Sequence, residues 1–231
     1  MSAKQPLILS IETATITGSV ALAYGRMILV SKKGDGQISH SNTLLSDIDD
    51  ILKEANRCFG EIDVFAAATG PGSFTGLRIG LATLKALSMT VHRPCAGVPT
   101  LEAIARSAGE NGFVAATLAA GRGEVFVQLF SVSEGKVTEI DQPAHLPPRE
   151  AVKKYRSHEN LCWAGEGAEA NRHDILSASE DSLNWRIASN LTNLAENVSA
   201  LALERVNNNQ LVAPGELRAI YVRPSDAELK K

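Results

Sequence analysis

Apolar and polar positions along this chain fall into a pattern that occurs twice. Leu7–Glu12, Ser19–Tyr24 and Met27–Lys32 are short runs rich in Val, Ile, Leu and Ala, separated by a Thr/Gly segment and by Gly25-Arg26. They predict a three-stranded antiparallel meander. From Ser41 to Cys58, Leu44, Leu45, Ile48, Ile51, Leu52 and Ala55 recur at helical spacing opposite Asp47, Asp49, Asp50 and Lys53. This is an amphipathic helix with Ser39 or Ser41 as its cap. An apolar strand at Val64–Ala68, a helix from Ser73 to Ser88, a strand at Ala96–Val98 and a helix from Thr100 to about Ala108 follow. The first hundred residues therefore read β-β-β-α-β-α-β-α.

The same order begins again after residue 110. Phe113–Ala119, Glu124–Ser131 and Lys136–Asp141 form a second set of three strands, with Gly121-Arg122-Gly123 and Ser133-Glu134-Gly135 as turns. Pro147-Pro148 opens a short helix to about Tyr155, Leu161–Ala164 reads as a strand, and Asn190–Val206 as a long helix. Arg172–Arg186 carries no clear period. A repeated β-β-β-α-β-α unit implies an α/β fold of two similar lobes. We place the first lobe at 1–109, with the partner-binding helices, and a smaller, degenerate second lobe at 110–231 whose C-terminal segment is a candidate to return to the first.

The helix after Gly70-Pro71-Gly72 changes the picture. With Ser73 as its N-cap candidate, its one polar strip holds Arg78 and Lys85, and it is apolar almost everywhere else. Such a helix needs cover on two sides. Gly76, Gly80, Thr83 and Leu87, at i, i+4, i+7 and i+11, form a strip of mostly small residues over which a second helix could dock closely. A bulky residue at Gly80 should then break association without unfolding the lobe. The Gly-rich turn meets neither the Gly-x-Gly-x-x-Gly nor the Gly-x-Ser-x-Gly pattern, and no P-loop lysine follows. Two readings stand for it: an anion site at a helix N-terminus, or a plain tight turn.

Composition excludes several classes. In 231 residues, 44% are apolar, the formal net charge is −3, and no Lys/Arg run stands out. Tight nucleic-acid binding by the chain alone is not expected. Leu7–Ile11 is too short for a signal peptide and nothing approaches the ~20 apolar residues of a membrane span, so a cytoplasmic protein with no membrane partner is expected. Cys58, Cys95 and Cys162 are odd in number and widely spaced, which favours buried free thiols. His40, His92, His145, His158 and His173 show no metal-ligand spacing, and His40 reads as a local hydrogen-bonder. No catalytic constellation emerges, and no metal site. A cleft between such lobes can hold a nucleotide beside the first strand ends, which makes Glu12, Thr13, Gly18 and Ser19 the candidate phosphate-facing residues. Glu12 reads equally as a magnesium-organising acid and as a cap on neighbouring N–H groups.

Five motifs carry a family resemblance: Ile11-Glu12-Thr13-Ala14-Thr15 with Gly18-Ser19-Val20-Ala21-Leu22; His40-Ser41 before Leu44-Leu45; Gly70-Pro71-Gly72-Ser73-Phe74-Thr75-Gly76-Leu77-Arg78-Ile79-Gly80; Gly97-Val98-Pro99-Thr100-Leu101; and Tyr221-Val222-Arg223-Pro224. In this order they resemble the bacterial TsaB (YeaZ) family. The resemblance implies an actin-like, Hsp70-type (ASKHA) fold of two ribonuclease H-like lobes. It implies a non-catalytic scaffold subunit in the formation of N6-threonylcarbamoyladenosine next to the anticodon of tRNA. The implied partners are TsaD, which carries the metal and the transfer chemistry, and TsaE, a small ATPase. ATP, magnesium and a metal belong to those partners and no cofactor to this chain. The interface would be Leu44, Leu45 and Ile48 of one helix with Gly76, Gly80, Thr83 and Leu87 of the next, giving a homodimer when the chain is alone and tRNA contact only through the complex. Members often carry Asp-Ala-Arg-Arg-Gly-Glu-Val-Tyr where this chain has Ala119-Ala120-Gly121-Arg122-Gly123-Glu124-Val125-Phe126, so one acid and one arginine are missing. The competing class is an actin-fold ATPase or kinase, or a glycoprotease, acting through its own cleft.

Overall fold

The computed structural model describes residues 5–35, 40–109, 111–188 and 193–222. Ser39, the predicted helix start at 190–192, Arg223, Pro224, Lys230, Lys231 and the side chain of His40 lie outside them. Packing divides the chain into one unit of 1–99 with 193–220 and another of 100–192 with 221–231.

In the first unit, β1 (Leu7–Glu12), β2 (Ser19–Tyr24) and β3 (Met27–Lys33) form the predicted meander. After α1 (His40–Glu54), β4 (Val64–Ala68) joins parallel to β1, and after α2 (Phe74–Thr90), β5 (Cys95–Val98) joins parallel to β4. The sheet order is β3-β2-β1-β4-β5. Alternation along β1 sorts its faces. Leu7, Leu9 and Ile11 pack with Ile48, Ile51, Leu81 and Leu84 of α1 and α2. Ser10 points the other way and accepts a 2.7 Å hydrogen bond from Ser199 of α7 (Leu194–Asn207). The C-terminal helix thus returns to the first sheet, on the face opposite α1 and α2, and packs on β1, β2, β4 and β5.

The second unit repeats the plan. α3 (Thr100–Ser107) precedes β6 (Gly112–Gly121), β7 (Glu124–Ser133) and β8 (Lys136–Glu139). Then come β9 (Ala144–Leu146), α4 (Pro148–Lys154), β10 (Cys162–Ala164), α5 (Glu166–Ala170), α6 (Arg172–Leu183) and β11 (Arg186–Ile187). The order β8-β7-β6-β10-β11 has the same antiparallel meander and the same two parallel additions as the first sheet, and β9 also pairs with β7. Its core gathers Tyr155, Trp163 and Trp185, with ring centroids 5.8 and 5.4 Å apart along that series.

Several expectations are corrected. α3 packs on β6, β7 and β8, so the unit boundary falls after Pro99, ten residues before the boundary drawn from element order. α1 ends at Glu54 because Asn56 adopts φ 51°, with Asn56 N–H donating to Lys53 O and Arg57 N–H to Leu52 O, a Schellman close. Ser41 is the second residue of α1 rather than a cap before it. Cys58 is exposed beyond that close, while Cys95 and Cys162 are buried; burial pushes the Cys95 thiol upward from its ordinary pKa. The unread stretch after 171 is helix α6, whose Ser179 Oγ accepts from Trp185 N–H at 3.0 Å.

The largest correction concerns α2. Its Ser73 cap is as expected, the hydroxyl accepting from Gly76 N–H at 3.2 Å. Gly76 and Gly80, however, are covered within the chain. A Cβ on Gly76 would lie 2.0 Å from Thr13 O, and one on Gly80 would lie 2.1 Å from Thr13 Oγ1. A residue such as Leu at Gly80 would collide with Thr13 and report on folding as much as on association. Gly76→Ala is expected to lower unfolding free energy by about 2–4 kcal/mol in urea titration. Gly60→Ala, in open space, is expected to stay within about 0.5 kcal/mol. Equal midpoints for the two variants would contradict this packing.

Candidate functional site

The first-strand end, the Gly70 turn and the start of α2 meet in one place. The loop after β1 turns tightly because Glu12 caps it: its carboxylate accepts from Thr15 N–H at 2.7 Å and Thr15 Oγ1 at 2.8 Å. Glu12 is only 1% exposed, so these donors satisfy its carboxyl oxygens in a buried place. Thr13 then reaches α2, its hydroxyl donating to Gly76 O at 2.8 Å, and Ala14 O accepts from Ser73 N–H at 2.8 Å. Gly72, at φ 156°, lets Ala14 approach to where a Cβ would be 2.6 Å from its carbonyl oxygen. Gly70, at φ 113°, stands equally close to Ile220 O, and Ile220 N–H donates to Thr69 O at 2.7 Å. Of the two readings of the Gly-Pro-Gly turn, these contacts support the structural one: its missing side chains admit the chain's own backbone.

Glu12, Thr13, Gly18 and Ser19 line a single cavity of about 290 Å³, together with Lys32, Lys33 and Asp47. Glu12, Thr13, Gly18 and Ser19 each have a partner inside the chain. Gly18 N–H donates to Thr15 Oγ1 at 3.3 Å, and Ser19 Oγ accepts from Ala195 N–H at 3.1 Å, at the start of α7. Lys32 donates to Asp50 at 2.8 Å and lies 2.6 Å from Asp47, and these two carboxylates raise its pKa above the ordinary lysine value. Among the described residues no group of three His, Cys, Asp or Glu side chains is placed to hold a metal ion. In the second unit, the matching hairpin is a two-residue turn with Arg122 and Gly123 both at positive φ, and no acid precedes it.

Most of the residues predicted as an interface face inward in the isolated chain. Leu44 and Ile48 are buried in the core, Gly76 and Gly80 are buried against Thr13, and Thr83 and Leu87 are half-buried. Only Leu45 stands out, 63% exposed. The sequence reading missed the outward face of α2, where Arg78, Ala82, Ala86 and Met89 are all exposed. Their i, i+4, i+8, i+11 spacing was the available signal, hidden in a helix counted as apolar nearly all round. The Arg78 guanidinium covers its own helix's Phe74 ring at 3.8 Å.

Residues 35–216 match the family model described as TsaD, tRNA N6-adenosine threonylcarbamoyltransferase. The chain belongs to this family, on its TsaB (YeaZ) side. It is 27% identical over 228 residues to the tRNA threonylcarbamoyladenosine biosynthesis protein TsaB of Escherichia coli, covering 94% of each chain. A solved structure of YeaZ from Pseudomonas aeruginosa superposes with a TM-score of 0.76 at 24% identity, over 94% of this chain and 99% of that one. Component A of the Acidaminococcus fermentans (R)-2-hydroxyglutaryl-CoA dehydratase shares the fold alone, with a TM-score of 0.50 at 9% identity over 89% of this chain and 100% of that one. The fold is the actin-like α/β fold that the family resemblance implies, and the repeated order of elements agrees with it. The TsaB-type homologues are named for the biosynthesis of threonylcarbamoyladenosine in tRNA, and among the described residues no helix is long and apolar enough to cross a membrane.

The role of Glu12 as a turn cap has a direct consequence. Glu12→Gln replaces one of the two oxygens that accept from Thr15 N–H and Oγ1 with an NH₂ group that cannot accept, and should cost about 1–3 kcal/mol of stability. Urea unfolding of the variant checks this. An unchanged midpoint would return Glu12 to the role of an acid awaiting a ligand.

Proposed function

We propose that this chain is a non-catalytic scaffold of the machinery that forms N6-threonylcarbamoyladenosine next to the anticodon of tRNA, acting beside TsaD and TsaE in the cytoplasm. The observation that carries the reading is the commitment of the first-strand site to the chain's own structure: Glu12, Gly18 and Ser19 are all bonded internally. A site used in this way supports positioning a partner rather than turning over a nucleotide. The nucleotide, magnesium and metal chemistry is assigned to TsaD and TsaE.

The surface offered to TsaD is the outer face of α1 and α2, with Leu45 (63% exposed) and Met89 (58% exposed) as its large apolar side chains and Ala82 and Ala86 allowing close approach. The same face accounts for a homodimer when the chain is alone. The family match and the TsaB relative support the pathway; the exposed side chains support the surface.

Reconstitution tests the role. TsaD, TsaE, tRNA and threonylcarbamoyl-adenylate should give repeated turnovers only when this chain is added. Full activity without it, modification by it in the absence of TsaD, or its own turnover of Mg-ATP would contradict the scaffold reading. Leu45→Glu combined with Met89→Glu should leave the melting temperature unchanged and weaken capture of TsaD at least tenfold. Undiminished capture would place the interface elsewhere.

A further inference from the structure

The outer face of α1 and α2 carries a charge that the chain leaves unmatched. β3 and β4 both run in the direction of β1, so the helices that return from them start at the same end of the sheet, and Leu45 and Arg78 both stand in a second turn. Arg78 is exposed and opens the row that continues through Ala82, Ala86 and Met89. Among the described residues it forms no ion pair. Its guanidinium rests on the Phe74 ring of its own helix, 3.8 Å from the centroid. That stack orients the planar group without engaging its N–H donors.

Among the described residues, the acids around this face are already matched. Asp49, one turn after Leu45, lies 2.5 Å from Lys53, and Asp47 and Asp50 are held by Lys32 at 2.6 and 2.8 Å. Glu54 comes nine residues after Leu45, which turns it about 180° away around the helix. Glu216, in the turn that packs beside α2, accepts from Ala213 N–H at 3.0 Å. The rest of this unit, positions 1–4 and 36–39 with the side chains at 40–42, contains no acid. Lys85, seven residues after Arg78, adds a half-buried cation to α2. A second copy of the chain therefore brings more cations to the face and no free carboxylate. Covering an unmatched guanidinium with protein strips away its water and costs far more than leaving it exposed.

We propose that Arg78 selects the occupant of this face: a carboxylate of TsaD meets it, and a second copy of this chain does not, an assignment that rests on the surface proposed above. A stacked guanidinium presents paired N–H donors in the geometry that carboxylate oxygens accept. One side chain then acts with opposite sign on two equilibria. It is an attraction in the mixed pair and an uncompensated charge between copies.

Arg78→Met removes the charge and keeps an apolar stem, and because the position is exposed the melting temperature is expected to hold. Capture of TsaD is read by biolayer interferometry at about 50 and 500 mM salt. Self-association is read by sedimentation of each variant alone. The expected result is capture weakened about tenfold or more in Arg78→Met, with most of the wild-type salt dependence lost, while self-association is unchanged or tighter. Arg78→Lys keeps the charge without the paired donors, should fall between, and serves if Arg78→Met melts early. Equal capture by wild type and Arg78→Met overturns the proposal and leaves the surface standing. Loss of capture and of self-association in the same proportion also overturns it, since the side chain would then support the face without choosing its occupant. Should wild type stay monomeric alone, capture decides. No capture by wild type removes the surface proposed above, and this assignment with it.

Discussion

The first unit depends on one close approach, that of the Thr13–Ala14 backbone to the N-terminal turns of α2. Thr13 O would sit 2.0 Å from any Cβ at position 76, and Ala14 O is bonded to Ser73 N–H. Sterics at this distance leave glycine as the residue that fits at 76 and 80. From that contact the rest follows in order. It fixes the height of α2 over β1 and β4, holds the Glu12-capped loop shut, and sets the rim of the cavity below Gly18 and Ser19. At the same end of the sheet, Ile220 N–H on Thr69 O ties down the chain that comes back from α7. A block of sequence that looks made for an outside partner is thus consumed by the fold itself.

Polar groups inside the first unit follow the same economy. Ser10 and Ser199 satisfy each other between β1 and α7, and Ser88 accepts from Cys95 Sγ at 3.2 Å between α2 and β5. Each pair removes a buried unsatisfied group, whose cost of about 1–3 kcal/mol would otherwise fall on the core. What remains for function in the first unit is the exterior, the outward side of α1 and α2, made from side chains that the folded core leaves unused.

Much of this architecture was legible in the sequence, because strands with Val, Ile and Ala runs and helices with a clean apolar face announce themselves by period. The repeated order, the five first-unit strands and the Ser73 cap all rest on such signals. The sequence could not say whose backbone fills a glycine notch. Gly76 and Gly80 looked like a seat for another helix, and only the fold reveals Thr13 there. α6 hid because, among its described side chains, only isolated positions such as Ile175 and Ser179 are buried. β9 is three residues long between Pro143 and Pro147, too short for period to register.

The central claim is that the Gly70–Gly80 block closes on the chain itself and that partner contact belongs to the outer face of α1 and α2. Amide hydrogen exchange on the isolated chain and on its mixture with TsaD measures this directly. The account predicts that the Ser73 and Gly76 amides are already protected in the isolated chain, and that TsaD adds protection to peptides covering 44–54 and 82–90. Free exchange at Ser73 and Gly76 that is lost only when TsaD is added would contradict it.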